Sequence, residues 1–104
     1  MRYDEHANGR QIEARLNEEF EMALPEARTA GYRWMTKSAG APVCQLLGET
    51  THPNSSGVGG SGQHVWQFRA IAAGTGEIEF EYRRPWESSE EPTRTFALRV
   101  RVGS

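Results

Sequence analysis

Cys44, His52 and His64 supply a thiol and two imidazoles, the groups from which a nucleophilic site is built. Their setting argues against that use. Cys44 stands in a short apolar run, where a cysteine is most simply a buried, inert thiol, and His52 falls in a polar loop. His6, His52 and His64 share no metal-ligand spacing, so neither a metal nor another cofactor is expected. The many glutamates alternate with apolar residues, as on a solvated strand face, and form no catalytic pair. The run Gly57-Val58-Gly59-Gly60-Ser61-Gly62 could let a partner's backbone approach closely, since no Cβ intervenes. It lacks the Gly-Lys-Ser/Thr ending and the following helix of a phosphate loop. Arg84-Pro85-Trp86 carries a guanidinium and an indole, the side chains most enriched at binding hot spots, with a core position as the alternative for Trp86. The chemistry on offer is that of binding, and an enzyme is not expected.

A chain of 104 residues makes one domain with a core but no large enclosed cavity. The formal charge of −2 is spread along the chain, with no basic stripe for nucleic acid and no polybasic segment for a membrane. A single cysteine excludes an internal disulfide. The first ten residues lack the apolar centre of a signal peptide, so the chain as written reads as soluble and unexported, although a trimmed leader would leave the same sequence. Nothing demands a second subunit, and a monomer is expected.

The elements that must position these residues read as strands. Ile78, Phe80 and Tyr82 alternate with Glu77, Glu79, Glu81 and Arg83, the period-2 pattern of a strand buried on one face, and this strand should sit mid-sheet. Pro85 ends it. Thr95 to Val102 alternates in the same way. His64 to Ala72 places Trp66, Phe68 and Ala70 on one face, and the tight turn Ala73 to Gly76 suggests that it pairs with the Glu77 strand as a hairpin. Glu18 to Leu24, Tyr32 to Met35 and Val43 to Leu47 supply further strands. Pro25 to Ala30 reads as a polar break, Lys37 to Ala41 as a small-residue turn, and Gly48 to Gln63 as the longest structureless stretch. Trp34, Trp66 and Phe68 are expected in the core, with Tyr82 beside them. Residues 1–17 read as an N-terminal segment, flexible or a first edge strand, ahead of a sandwich over residues 18–102.

Short strands at regular spacing without a helix point to an all-β, immunoglobulin-like antiparallel sandwich of about seven strands. If successive strands alternate in direction, their connections alternate between two poles. Pro25 to Gly31, Gly48 to Gln63 and Arg84 to Pro92 then fall at one pole, and the tighter turns at the other. Three loops on one end of a rigid sandwich make a binding surface.

Three motifs in order carry a resemblance. Leu24 to Trp34 reads Leu-x-x-x-x-x-x-Gly-Tyr-x-Trp, Gly57 to Gly60 reads Gly-x-Gly-Gly, and Arg84 to Glu87 reads Arg-Pro-Trp-Glu. Together, over Phe20 to Val102, the chain resembles the chagasin family of inhibitors of papain-like cysteine peptidases. The resemblance implies a first loop, Ala27, Arg28, Thr29, Ala30 and Gly31, that enters the peptidase's active-site cleft. The flanking contacts would come from Gly57, Val58, Gly59 and Gly60 and from Arg84, Pro85 and Trp86. Inhibition would be reversible and by occlusion. The family's Asn-Pro-Thr-Thr-Gly falls on residues 27–31, of which only Thr29 and Gly31 match. Arg28 replaces a proline that would pre-organise the wedge, and Ala30 lacks a hydroxyl. The alternative is a diverged immunoglobulin-like module that contacts a protein or glycan without inhibiting.

Overall fold

The computed structural model describes residues 2–27, 32–53, 61–84, 86 and 94–103. Its strands are β1 (Arg2–Tyr3), β2 (Gln11–Arg15), β3 (Glu19–Ala27), β4 (Arg33–Ala39), β5 (Cys44–Pro53), β6 (Ser61–Ala70), β7 (Gly74–Arg83) and β8 (Arg94–Gly103), with a 3-10 turn at Glu5–Ala7. They form two four-stranded sheets, ordered β1-β3-β6-β5 and β2-β8-β7-β4. The result is an immunoglobulin-like sandwich. β7 lies between β8 and β4, mid-sheet as its alternation predicts. Among the described residues no helix is long and apolar enough to cross a membrane.

Each sheet turns its apolar face inward. Phe96, Leu98, Val100 and Val102 of β8 are buried with Ile78 and Phe80 of β7, facing Phe20, Met22 and Leu24 of β3 and Trp66, Phe68 and Ala70 of β6. Trp66 and Phe80 stack across the sandwich with ring centroids 3.9 Å apart. Among the described residues the glutamates other than Glu26 stand at least partly exposed, and several meet a cation on the neighbouring strand: Glu77 with Arg99 at 3.2 Å, Glu19 with Arg69 at 2.7 Å, Glu21 with Arg2 at 3.0 Å. Such exposed pairs add little stability. The hydrogen bonds from Arg2 and then Gln67 hold the Glu21 carboxyl below the usual carboxylate range.

Several sequence expectations change. β6 and β7 do not pair as a hairpin. They belong to different sheets, so the turn at 71–73 carries the chain across the sandwich. Pro25 does not break the chain but sits within β3 opposite Gln63, beyond the two residues at which β1 covers that strand's other edge. A proline is tolerated there because no neighbour needs its N–H. The stretch read as a loop from Gly48 to Gln63 is strand as far as Pro53 and again from Ser61. β4 likewise runs on to Ala39, with a register shift between Thr36 and Ser38. The N-terminal segment supplies β1, parallel to β3, and β2, parallel to β8.

At one pole two short turns interlock. Gly40, at φ +81°, accepts hydrogen bonds at its carbonyl from the Val43 and Cys44 N–H groups, and the Val43 carbonyl accepts from Ile71 at 2.7 Å. Gly76 lies against them. A Cβ there would collide with the Gly40 carbonyl oxygen and stand 2.7 Å from Val43 Cγ2. Gly76→Ala should therefore cost about 1–3 kcal/mol in urea unfolding. A wild-type midpoint would show that the two turns can separate freely.

Candidate functional site

The opposite pole is where the three long connections leave the sandwich. In one sheet Ala27 ends β3 opposite Ser61, and Pro53 ends β5 opposite Gly62. In the other, Arg33 opens β4 opposite Arg83, and Arg94 opens β8 opposite Tyr82. The two sets of ends meet directly, since the Trp34 backbone N–H donates to Glu26 Oε2 at 2.8 Å and the Trp34 indole N–H donates to the Pro25 carbonyl at 2.9 Å. The strand ends thus gather as the alternation argument requires. Of the expected site residues, Arg28, Thr29, Ala30, Gly31, Gly57, Val58, Gly59, Gly60 and Pro85 lie outside the described residues. Ala27 closes β3, Arg84 follows β7, and Trp86 is 69% exposed, which removes the core alternative for that indole.

An aromatic ladder ties the first and third connections together. The Arg84 guanidinium lies over the Tyr32 ring, 4.7 Å from its centroid. Tyr32 stacks on Tyr82 at 5.5 Å, Tyr82 meets Trp34 at 5.0 Å, and Arg94 lies over Trp34 at 5.7 Å. Tyr32 and Trp34 are two residues apart, so both reach Tyr82 from one side. That geometry accounts for the Gly-Tyr-x-Trp spacing. Arg84, expected as an anchor for a partner, here braces the root of the neighbouring loop, and each cation–ring contact of this kind adds about 0.5–1 kcal/mol.

Sequence reasoning missed a cluster at the same pole. Glu26 and His64 are buried at 3% and 8% exposure, among residues otherwise apolar. His64 Nδ1 lies 2.9 Å from Glu26 Oε2, and its Nε2 lies 2.6 Å from Glu49 Oε2. The three line an open cleft of about 570 Å³, shared with Arg33, Trp34 and Thr51, between the edges of β4 and β5. The signal was there in part: Phe20, Met22, Leu24 and Glu26 share one period-2 face, as do His64, Trp66 and Phe68.

Among the described residues, chemistry of the catalytic kind is not assembled. Cys44 is buried, and burial pushes its thiol up to about 11, so it is protonated and unreactive near neutrality. His52 lies at the far end of the same strand, about 25 Å away at the rise of a β-strand. Both ring nitrogens of His64 already face carboxylates. Among the described residues the one grouping able to hold a metal, Asp4, Glu5 and His6, is exposed and consecutive in sequence.

The sequence profile of the chagasin family peptidase inhibitors matches residues 13–100. The chain belongs to the chagasin family. Solved structures agree on the fold. The crystal structure of a cysteine protease inhibitor from Entamoeba histolytica is 24% identical, with 98% of this chain and 94% of that one covered at a TM-score of 0.85. The solution structure of amebosin is 27% identical, covering 98% and 96% at a TM-score of 0.78. A third, the structure of PbICP-C in complex with falcipain-2, is 14% identical and covers 99% and 90% at a TM-score of 0.66. A comparison with curated protein sequences gave no match. Membership of the chagasin family makes this chain a peptidase inhibitor rather than an enzyme.

Proposed function

We propose that this chagasin-family chain inhibits papain-like cysteine peptidases reversibly, as a monomer, by laying three loops of one pole over the active-site cleft. Residues 27–31 form the wedge that enters the cleft. Gly57, Val58, Gly59 and Gly60 contact one side through open backbone, and Arg84, Pro85 and Trp86 the other. The observation that carries this reading is the convergence of all six flanking strand ends at the pole where Trp86 stands 69% exposed. Roots braced by Tyr32, Tyr82 and Trp34 lower the ordering cost of binding, and three such loops can supply the roughly 800 Å² per partner of a standard interface. The neighbour solved with falcipain-2 supports a peptidase as the partner.

The test is a titration of the chain into active-site-titrated papain and a cathepsin L-type enzyme, read with a fluorogenic substrate. Reversible inhibition with a constant in the nanomolar range, about −12 kcal/mol, is the expected result. One observation favours a second reading, a binding module that no longer inhibits: Ala27, Arg28 and Ala30 depart from the family's Asn-Pro-Thr-Thr. In that case both enzymes stay active at micromolar chain, and restoring Asn-Pro-Thr-Thr at residues 27–30 brings inhibition back.

A further inference from the structure

The buried cluster at the loop pole has a stoichiometry of protons written into its geometry. A neutral imidazole has one N–H and one lone pair, and a carboxylate can only accept. With Glu26 Oε2 at 2.9 Å from Nδ1 and Glu49 Oε2 at 2.6 Å from Nε2, both contacts are hydrogen bonds only when the trio holds one proton beyond neutral imidazole and two carboxylates. Without it, a lone pair faces a carboxylate oxygen at one end of the ring. Trp66 lies parallel to the His64 ring at 4.0 Å and 5°, offering its π face to a cation. Among the described residues the charged groups that line the cleft beside His64 are Glu26 from β3, Glu49 from β5 and Arg33 from β4.

The same carboxylate oxygen does a second task. Glu26 Oε2 takes the Trp34 backbone N–H at 2.8 Å as well as the His64 contact, so one atom joins β6 of one sheet to β4 of the other. β3 and β4 bound the first loop, and β5 and β6 bound the second. All four strands meet in this one array.

We infer that Glu26, His64 and Glu49 form a proton-held latch that positions the roots of the first two loops, so that inhibition weakens as rising pH removes the proton. The inference rests on the proposed peptidase inhibition. His64, Glu26 and Glu49 are positioning residues, since none is assigned a contact with the peptidase. The sign follows from the hydrogen-bond count: the latch is complete while the extra proton is held and incomplete once it leaves.

Glu49→Gln separates the latch from a merely structural role. Its amide can either donate or accept, so His64 is satisfied with or without the extra proton, and Glu49 is half exposed, so the exchange leaves the core alone. Inhibition constants against papain are measured for the wild type and E49Q between about pH 5 and about pH 8, the range in which histidine switches. Taking their ratio at each pH cancels the titration of the enzyme itself. The expected result is a wild-type constant that worsens relative to E49Q by roughly fivefold or more across the range. A flat ratio with both proteins inhibiting overturns the latch and leaves the inhibitor reading standing. If neither protein inhibits, that reading has failed instead, and the latch is decided by the ring-nitrogen NMR shifts of His64. Two protonated nitrogens at low pH, losing one as pH rises, uphold it. A neutral ring with both carboxyls ionised throughout overturns it.

Discussion

Trp66→Ala should lower folding stability by about 3–5 kcal/mol, the largest loss expected from a single truncation in this chain. The indole is fully buried and stacked on both faces, against His64 at 4.0 Å and Phe80 at 3.9 Å. Removing it takes away the contact that joins the two sheets beneath the loop pole, and the rings around it cannot collapse into the gap without leaving their strands. Trp66→Phe gives the sharper comparison. Among the described residues the Trp66 indole N–H has no hydrogen-bond partner although it is buried. Phenylalanine keeps a ring in the stack and removes that unsatisfied donor, so part of its lost volume is offset. The phenylalanine variant should cost less than half as much as the alanine variant. Urea unfolding with the slope held equal across the variants measures both. An alanine loss below about 1 kcal/mol would mean that the stack is not what holds the sheets together.

What the sequence disclosed and what it hid follow from the same rule of alternation. β7 and β8 were legible because each has one dry face and one wet face, and period 2 is visible whenever those differ. The far half of β5 was not. From Gly48 to His52 its residues are half-exposed or exposed at the edge of its sheet, so polar composition looked like loop. β2 buries only Ile12 and Ala14, too few positions to separate a strand from a helix turn. The supposed hairpin failed for another reason. A three-residue connection such as 71–73 can close a hairpin or cross between sheets, and composition does not distinguish the two.

The site divides in the same way. Its loops carry motifs that are contiguous in sequence, and the pole they share could be counted from strand order alone. The cluster beneath them is contiguous only in space: Glu26 and His64 are 38 residues apart and His64 and Glu49 are 15 apart. No spacing rule links residues that meet by strand pairing across a sheet. A glutamate in phase with Phe20, Met22 and Leu24 was the available sign, and reading Pro25 as a break concealed it.

Trp86→Ala should weaken peptidase inhibition by at least ~2 kcal/mol, roughly 30-fold, with folding stability unchanged. The two halves of that expectation have one cause. At 69% exposure the indole contributes little to the free chain, so its removal changes stability by no more than about 0.5 kcal/mol. The same exposed area is what a partner would cover, and a large rigid side chain costs little entropy to immobilise. Arg84→Ala would be harder to interpret, because the guanidinium also braces Tyr32 at the root of the first loop. The control is Ile71→Ala. Ile71 is 45% exposed but stands at the pole of the short turns, so its loss should leave inhibition as it was. Inhibition constants for the three proteins, each with its thermal midpoint, decide the matter. Equal constants for a well-folded Trp86→Ala and the wild type would place the peptidase contact elsewhere on the chain, and equal losses for Trp86→Ala and Ile71→Ala would show that exposed apolar area in general, rather than the loop pole, governs binding.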